Sequence, residues 1–171
     1  MVVLAVGIGF SIPLAMFELF LRFLPVSEDV KTQPVNAGQP YIHLKPNRDV
    51  TYSIGWNFKI VATKHVNNYG YTSDYDYIQH DQGPNLTIIG DSFVQANQVE
   101  NHQTMHGVLS ERIGRQGSVY GIGIDGAPLS QYLAFARLAS QEYVADALTF
   151  IVIANDFDES LLKYKQAPGF H

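Results

Sequence analysis

The stretch LTIIGDSFVQ, residues 86–95, runs four mostly apolar residues straight into glycine, aspartate and serine. A serine hydroxyl is a poor nucleophile until a base takes its proton and donors stabilise the oxyanion that its attack creates. Two further stretches offer such donors. GIGIDG, 121–126, is a glycine-rich turn after an apolar run, and IAND, 153–156, closes another apolar run on Asn155 and Asp156. A glycine lets its backbone N–H approach a substrate with no Cβ in the way. The side-chain amide of Asn155 is a second donor of the oxyanion-hole type, and losing one such donor costs about a hundred- to a thousand-fold in rate. Gly90 permits a tight turn that projects Ser92 outward. Asp91 is expected to order that turn through local hydrogen bonds, and Asp156 to do the same at the third stretch.

These residues are useful together only if the chain brings them to one edge. LTII (86–89), SVYGIGI (118–124) and LTFIVIA (148–154) read as short apolar strands, and TMHGVLSERI (104–113) and PLSQYLAFARL (128–138) as helices. Pro128 suits the start of the second helix. Strand, helix, strand, helix, strand with continuously apolar strands predicts a parallel α/β sheet covered on both faces. In open sheets of this kind ligands bind at the carboxyl ends of the strands. The three tips are then Gly90–Asp91–Ser92, the turn with Gly121, Gly123, Asp125 and Gly126, and Asn155, Asp156 and Asp158.

Ahead of the sheet, residues 41–85 are rich in β-branched and aromatic types, with VTYSI and FKIVATKHV as strands and NNYG as a turn. Residues 26–40 are polar with proline and glycine and read as a linker. Residues 1–25 form an apolar segment whose only charged residues are Glu18 and Arg22, which share a helix face and can pair. About 20 such residues cross a bilayer. No basic start or small-x-small cleavage site marks a signal peptide, so a retained transmembrane anchor is expected. The basic residues Arg22, Lys31 and Lys45 all follow the segment, which taken alone directs the rest of the chain to the cytoplasm. The missing basic start points to a natural N-terminus upstream of Met1.

GDS (90–92), GIGIDGAPLSQ (121–131) and IANDFD (153–158) resemble the first three blocks of the SGNH, or GDSL-type, hydrolases. These are α/β serine esterases, lipases and carbohydrate O-deacetylases with a flavodoxin-like three-layer sheet. The resemblance implies Ser92 as nucleophile and Gly126 and Asn155 as oxyanion donors. Gly126 is preferred to Gly123 because it directly precedes the turn into the helix. The apolar start, LKPN (44–47) and VNNYGYTSD (66–74) resemble the membrane-anchored branch of bacterial envelopes. That implies a single-pass membrane protein with its globular part periplasmic, acting on a small ester or an acylated glycan without a cofactor. Two departures stand out. Ala154 replaces the usual glycine before the Asn-Asp pair, and no Asp-x-x-His block supplies a base, since Pro168 lies three residues before His171. The chain, with residues 86–171 as the front part of the domain, is therefore expected to end before its catalytic histidine and to be inactive as it stands.

Other readings are weaker. A net charge of −5 argues against a nucleic-acid partner. The absence of cysteine removes thiol and cysteine-zinc chemistry. Gly121 to Gly126 also spells G-x-G-x-x-G, but its acidic partner, Asp146 or Asp156, falls at the wrong place for a dinucleotide site. HQTMH (102–106) mimics a zinc helix with Gln103 in place of the glutamate, and no metal is expected. His43, His65, His80, His102 and His106 are alternative bases, none on a later strand tip. Tyr69, Tyr71, Tyr75, Tyr77 and Trp56 suit either sugar stacking or packing of a β-rich cap, with packing favoured. If they stack on sugar, the protein is a membrane-tethered carbohydrate-binding domain without catalysis. Asn85 matches a glycosylation sequon but runs into a strand.

Overall fold

The computed structural model describes residues 2–28, 31–80 and 83–161. It is a mixed α/β structure with two small sheets. The first pairs β1 (Arg48–Ile54) with β2 (Ile60–Val66) as an antiparallel hairpin, Arg48 opposite Val66 and Ile54 opposite Ile60. The second contains β3 (Asn85–Gly90), β4 (Ser118–Gly123) and β5 (Ala147–Phe150), all parallel, in the order β4-β3-β5. Its helices are α2 (Ser92–Gln95), α3 (Met105–Ile113), α4 (Leu129–Glu142) and α5 (Ala154–Glu159).

Strands β3 and β4 are covered on both faces, as their apolar runs require, whereas β5 is largely exposed. Alternate residues of a strand point to opposite faces. Ile89, Tyr120 and Ile122 face α4 and meet Phe135 and Leu138. Ile88 and Val119 face the other way, toward Val94 and the α3 residues Leu109 and Ile113. The first of these clusters also takes in Ile42, Leu44, Val50, Val66, Tyr71 and Tyr77, so the hairpin and the parallel sheet share one core. Residues 31–40, read as a linker, lie against this body: Gln33 N donates to the His43 carbonyl, and Val35 packs on the core.

Two expectations need correction. The third strand was read over 148–154, but β5 ends at Phe150, with one further bond from Ile151 N to the Ile89 carbonyl. It is an edge strand, and Phe150 and Val152 are exposed. Asn155 and Asp156 consequently sit in the first turn of α5 and not on a strand tip. The second correction concerns residues 1–25. Helix α1 (Val2–Leu21) forms there, and Glu18 accepts from Arg22 at 3.1 Å. Among the described residues no helix is long and apolar enough to cross a membrane, so the spanning anchor is not supported.

The tyrosines pack. Tyr71 and Tyr77 are buried, and Tyr77 stacks on Tyr120 with ring centroids 4.1 Å apart. The Tyr77 hydroxyl donates to the Gly121 carbonyl (2.8 Å) and accepts from the Gly121 N–H (2.9 Å), and the Tyr75 hydroxyl donates to the Val119 carbonyl. The free edge of β4 is thereby covered, which removes a site for unwanted strand pairing. Trp56 stands apart, 96% exposed at the tip of the β1–β2 hairpin.

Candidate functional site

Because β3, β4 and β5 are parallel, their carboxyl ends share one edge, with Gly90 of the central strand in register with Gly123. Ser92 is the first residue of α2, two residues past Gly90, and is half-buried. The turn that carries it is fixed by Asp91, which is buried. Asp91 Oδ1 accepts from Phe93 N (3.0 Å), its Oδ2 accepts from Ser92 Oγ (3.3 Å), and its carbonyl accepts from Val94 N and Gln95 N. An N-cap aspartate of this kind satisfies backbone donors that a helix start leaves free.

The glycines around it have local reasons. A Cβ on Gly90 would fall 2.5 Å from Val94 Cγ2, so a side chain there would push α2 off the strand. A Cβ on Gly123 would fall 2.7 Å from Gln95 N and 2.9 Å from the Asp91 carbonyl. Gly123 is thus the floor on which the Ser92 turn lies, and not an open donor. Gly121 makes room for the His106 ring, 2.4 Å from where its Cβ would be. Gly126 differs from these: its φ is +73° and its Cβ would meet nothing within 4 Å, so the turn after β4 is left-handed and open. Each glycine of the G-x-G-x-x-G pattern thus has a local structural role.

Asn155 is exposed on α5. Next to it Asp156 is fully buried, and its Oδ2 accepts from the Tyr132 hydroxyl (2.9 Å) and from Ile153 N (2.8 Å). Asp156 thus holds the start of α5 through Ile153 N and ties it to α4 through Tyr132. Its Oδ1 has no partner among the described residues.

A depression of about 300 Å³ lies at Ser92, lined by Ser92, Phe93, Ala96 and Gln98. Gly126 and Asn155 do not line it. A larger hollow of about 320 Å³, lined by Tyr41, Leu133, Arg137 and Glu142 among others, lies along α4 and does not include Ser92. No described histidine hydrogen-bonds to Ser92. His65 pairs with Asp49 at 2.8 Å, and His43 Nδ1 donates to the Leu44 carbonyl at 2.8 Å. His106 Nε2 donates to the Thr72 carbonyl at 3.0 Å, and burial pushes this ring down to about 4, so it is neutral at pH 7. His171 lies outside the described residues. Within HQTMH, His102 belongs to a short 3₁₀ turn, Asn101–Gln103, and His106 to α3, so the two do not share one helix. Among the described residues no group of side chains suits a metal ion.

Two participants escaped sequence reasoning. Gln95 Oε1 accepts from Asp125 N, tying the Ser92 turn to the glycine turn. Lys64, fully buried, donates from Nζ to the carbonyls of Gln95 (2.6 Å) and Ala96 (2.9 Å). Its signal was present in IVATKHV, where Lys64 falls in phase with the inward residues Ala62 and Val66. The chain matches no family model, no curated protein and no solved structure.

Proposed function

We propose that this protein is an SGNH-like serine hydrolase with a flavodoxin-like three-layer domain, acting on ester bonds. The observation that carries the reading is Ser92 at the tip of the central parallel strand, on the first turn of a helix ordered by Asp91 and seated on Gly123. In the proposed reaction Ser92 Oγ attacks the ester carbonyl while its proton passes to a histidine outside the described residues. The family resemblance assigns the oxyanion to the Gly126 N–H and the Asn155 amide, neither of which lines the depression at Ser92. Collapse forms the acyl-serine and releases the alcohol, which takes the proton back. Water, or a sugar hydroxyl, then accepts the acyl group. The substrate class is a small ester or an O-acetyl group of a cell-envelope glycan. Helix α1, with Phe10, Leu14, Phe17 and Phe20 exposed, attaches the domain to a lipid surface.

The test is labelling with a fluorophosphonate, followed by peptide mapping, on the complete natural polypeptide. Adduct on Ser92, lost together with esterase activity in Ser92→Ala, is expected. Activity that survives Ser92→Ala would sink the reading. The exposed Trp56 favours a second reading, a carbohydrate-binding domain without catalysis. That reading gains if Ser92 never labels and Trp56→Ala abolishes retention on an envelope glycan.

A further inference from the structure

Helix α2 has a single turn, too short to be stable alone, since nucleating a helix costs more than its first bonds return. Its carboxyl end is also unfavourable. Ala96 adopts φ 45° and ψ 61°, a left-handed conformation that side-chain-bearing residues avoid. The Gln95 carbonyl is one of the groups a helix end leaves without an intrahelical partner. Both carbonyls face the second residue of a row on β2. Thr63 N donates to Glu100 Oε1 (3.2 Å), Lys64 Nζ donates to the Gln95 and Ala96 carbonyls, and the His65 carbonyl accepts from Asn101 Nδ2 (3.2 Å). The Thr72 hydroxyl adds a long bond to the Gln95 carbonyl (3.4 Å).

We infer that Lys64 is a positioning residue: its buried ammonium clamps the carboxyl end of α2 and so fixes the turn that presents Ser92. A cation is favourable at that end of a helix, and a buried ammonium is tolerated only where strong acceptors meet it. Glu100 and Asp74 support its charge, and His106, which also faces it, is neutral. Burial pushes Lys64 down to about 8, so it remains mainly protonated at pH 7. The same lysine joins the two sheets, because β2 belongs to the hairpin and α2 to the parallel sheet. The consequence for chemistry rests on the reading of Ser92 as nucleophile; the clamp itself does not.

The experiment compares amide hydrogen exchange in the full chain with that in Lys64→Met and Lys64→Arg, alongside the rate of fluorophosphonate labelling. In Lys64→Met the Gln95 and Ala96 amides, which bond to the Asp91 and Ser92 carbonyls, are expected to exchange at least about tenfold faster. The β3–β4 ladder should keep its protection, and Lys64→Arg should restore part of the loss at α2. Unchanged exchange at Gln95 and Ala96 overturns the clamp, and so does an equal rise across β4, which would mark a merely structural lysine. If neither variant folds, the wild type decides. Protection of about a hundredfold or more at Gln95 and Ala96 supports the clamp, and unprotected amides overturn it. Labelling separates the two ideas. A slower Ser92 reaction in Lys64→Met supports both, whereas the expected exchange pattern with no labelling of any form upholds the clamp and removes the nucleophile.

Discussion

His106 and Lys64 are both buried bases, and they meet burial differently. His106 gives up its charge and donates from Nε2 to the Thr72 carbonyl, whereas Lys64 keeps its charge on two carbonyls. The pH dependence of each follows from the direction of its shift. The His106 ring is held at about 4, below its ordinary 6.5. Between these values the unfolded chain binds more protons than the folded one, so stability rises with pH across the window. Its contribution is complete above 6.5 and is lost as pH falls toward 4. Lys64 is lowered from 10.5 to about 8, so by the same rule its contribution to stability grows between about 8 and 10.5. Urea midpoints should therefore drop between pH 6.5 and 4, with the His106 ring signal unchanged above pH 5.5. A His106 that titrates near 6.5 would contradict this.

At the scale of elements, the seat of α2 on β4 is the contact that decides the site. Gly123 and Gly126 belong to one motif yet respond to different physics. Alanine at 123 collides with the backbone of the Asp91–Gln95 turn, where nothing flexible can yield. Gly123→Ala should destabilise by about 1–3 kcal/mol, the usual cost of overpacking, and displace the Ser92 turn. Gly126→Ala meets no atom and should cost only about 1–2 kcal/mol for its positive φ. Urea denaturation gives both values, and amide shifts of residues 91–96 distinguish the two variants. A perturbation at α2 from Gly126→Ala larger than that from Gly123→Ala would refute the assignment of the floor to Gly123.

For the whole molecule, the outstanding feature is apolar surface left uncovered on α1. Phe10, Leu14, Phe17 and Phe20 range from 59% to 70% exposed, in contrast to the buried residues of the shared core. A helix that is apolar all round is normally buried in something. Extrusion of that surface into lipid requires no crossing. The full chain should float with neutral phosphatidylcholine vesicles in a density gradient, and replacing Phe10, Phe17 and Phe20 with serine should leave it at the bottom. Neutral lipid is the appropriate probe because the chain carries a net charge of −5. Sedimentation of the unaltered chain away from the vesicles would exclude lipid as the cover.

Periodicity and local chemistry determined much from the sequence by itself. Apolar runs and turn residues located β1, β2, β3 and β4 and the helices α3 and α4, because those patterns reflect which face each residue buries. The acid before Ser92 was legible as a turn-orderer for the same local reason. What lay between elements was decided only by tertiary structure. The third apolar run became a short exposed edge strand followed by α5, because nothing among the described residues covers its outer side, and periodicity does not record a strand's neighbours. Lys64 looked like one more lysine in a strand until β2 was set against α2, 31 residues away in sequence. Its bonds, the Gly123 floor and the tyrosine cover of β4 all depend on which surfaces meet, and such meetings are fixed by the packing of distant segments.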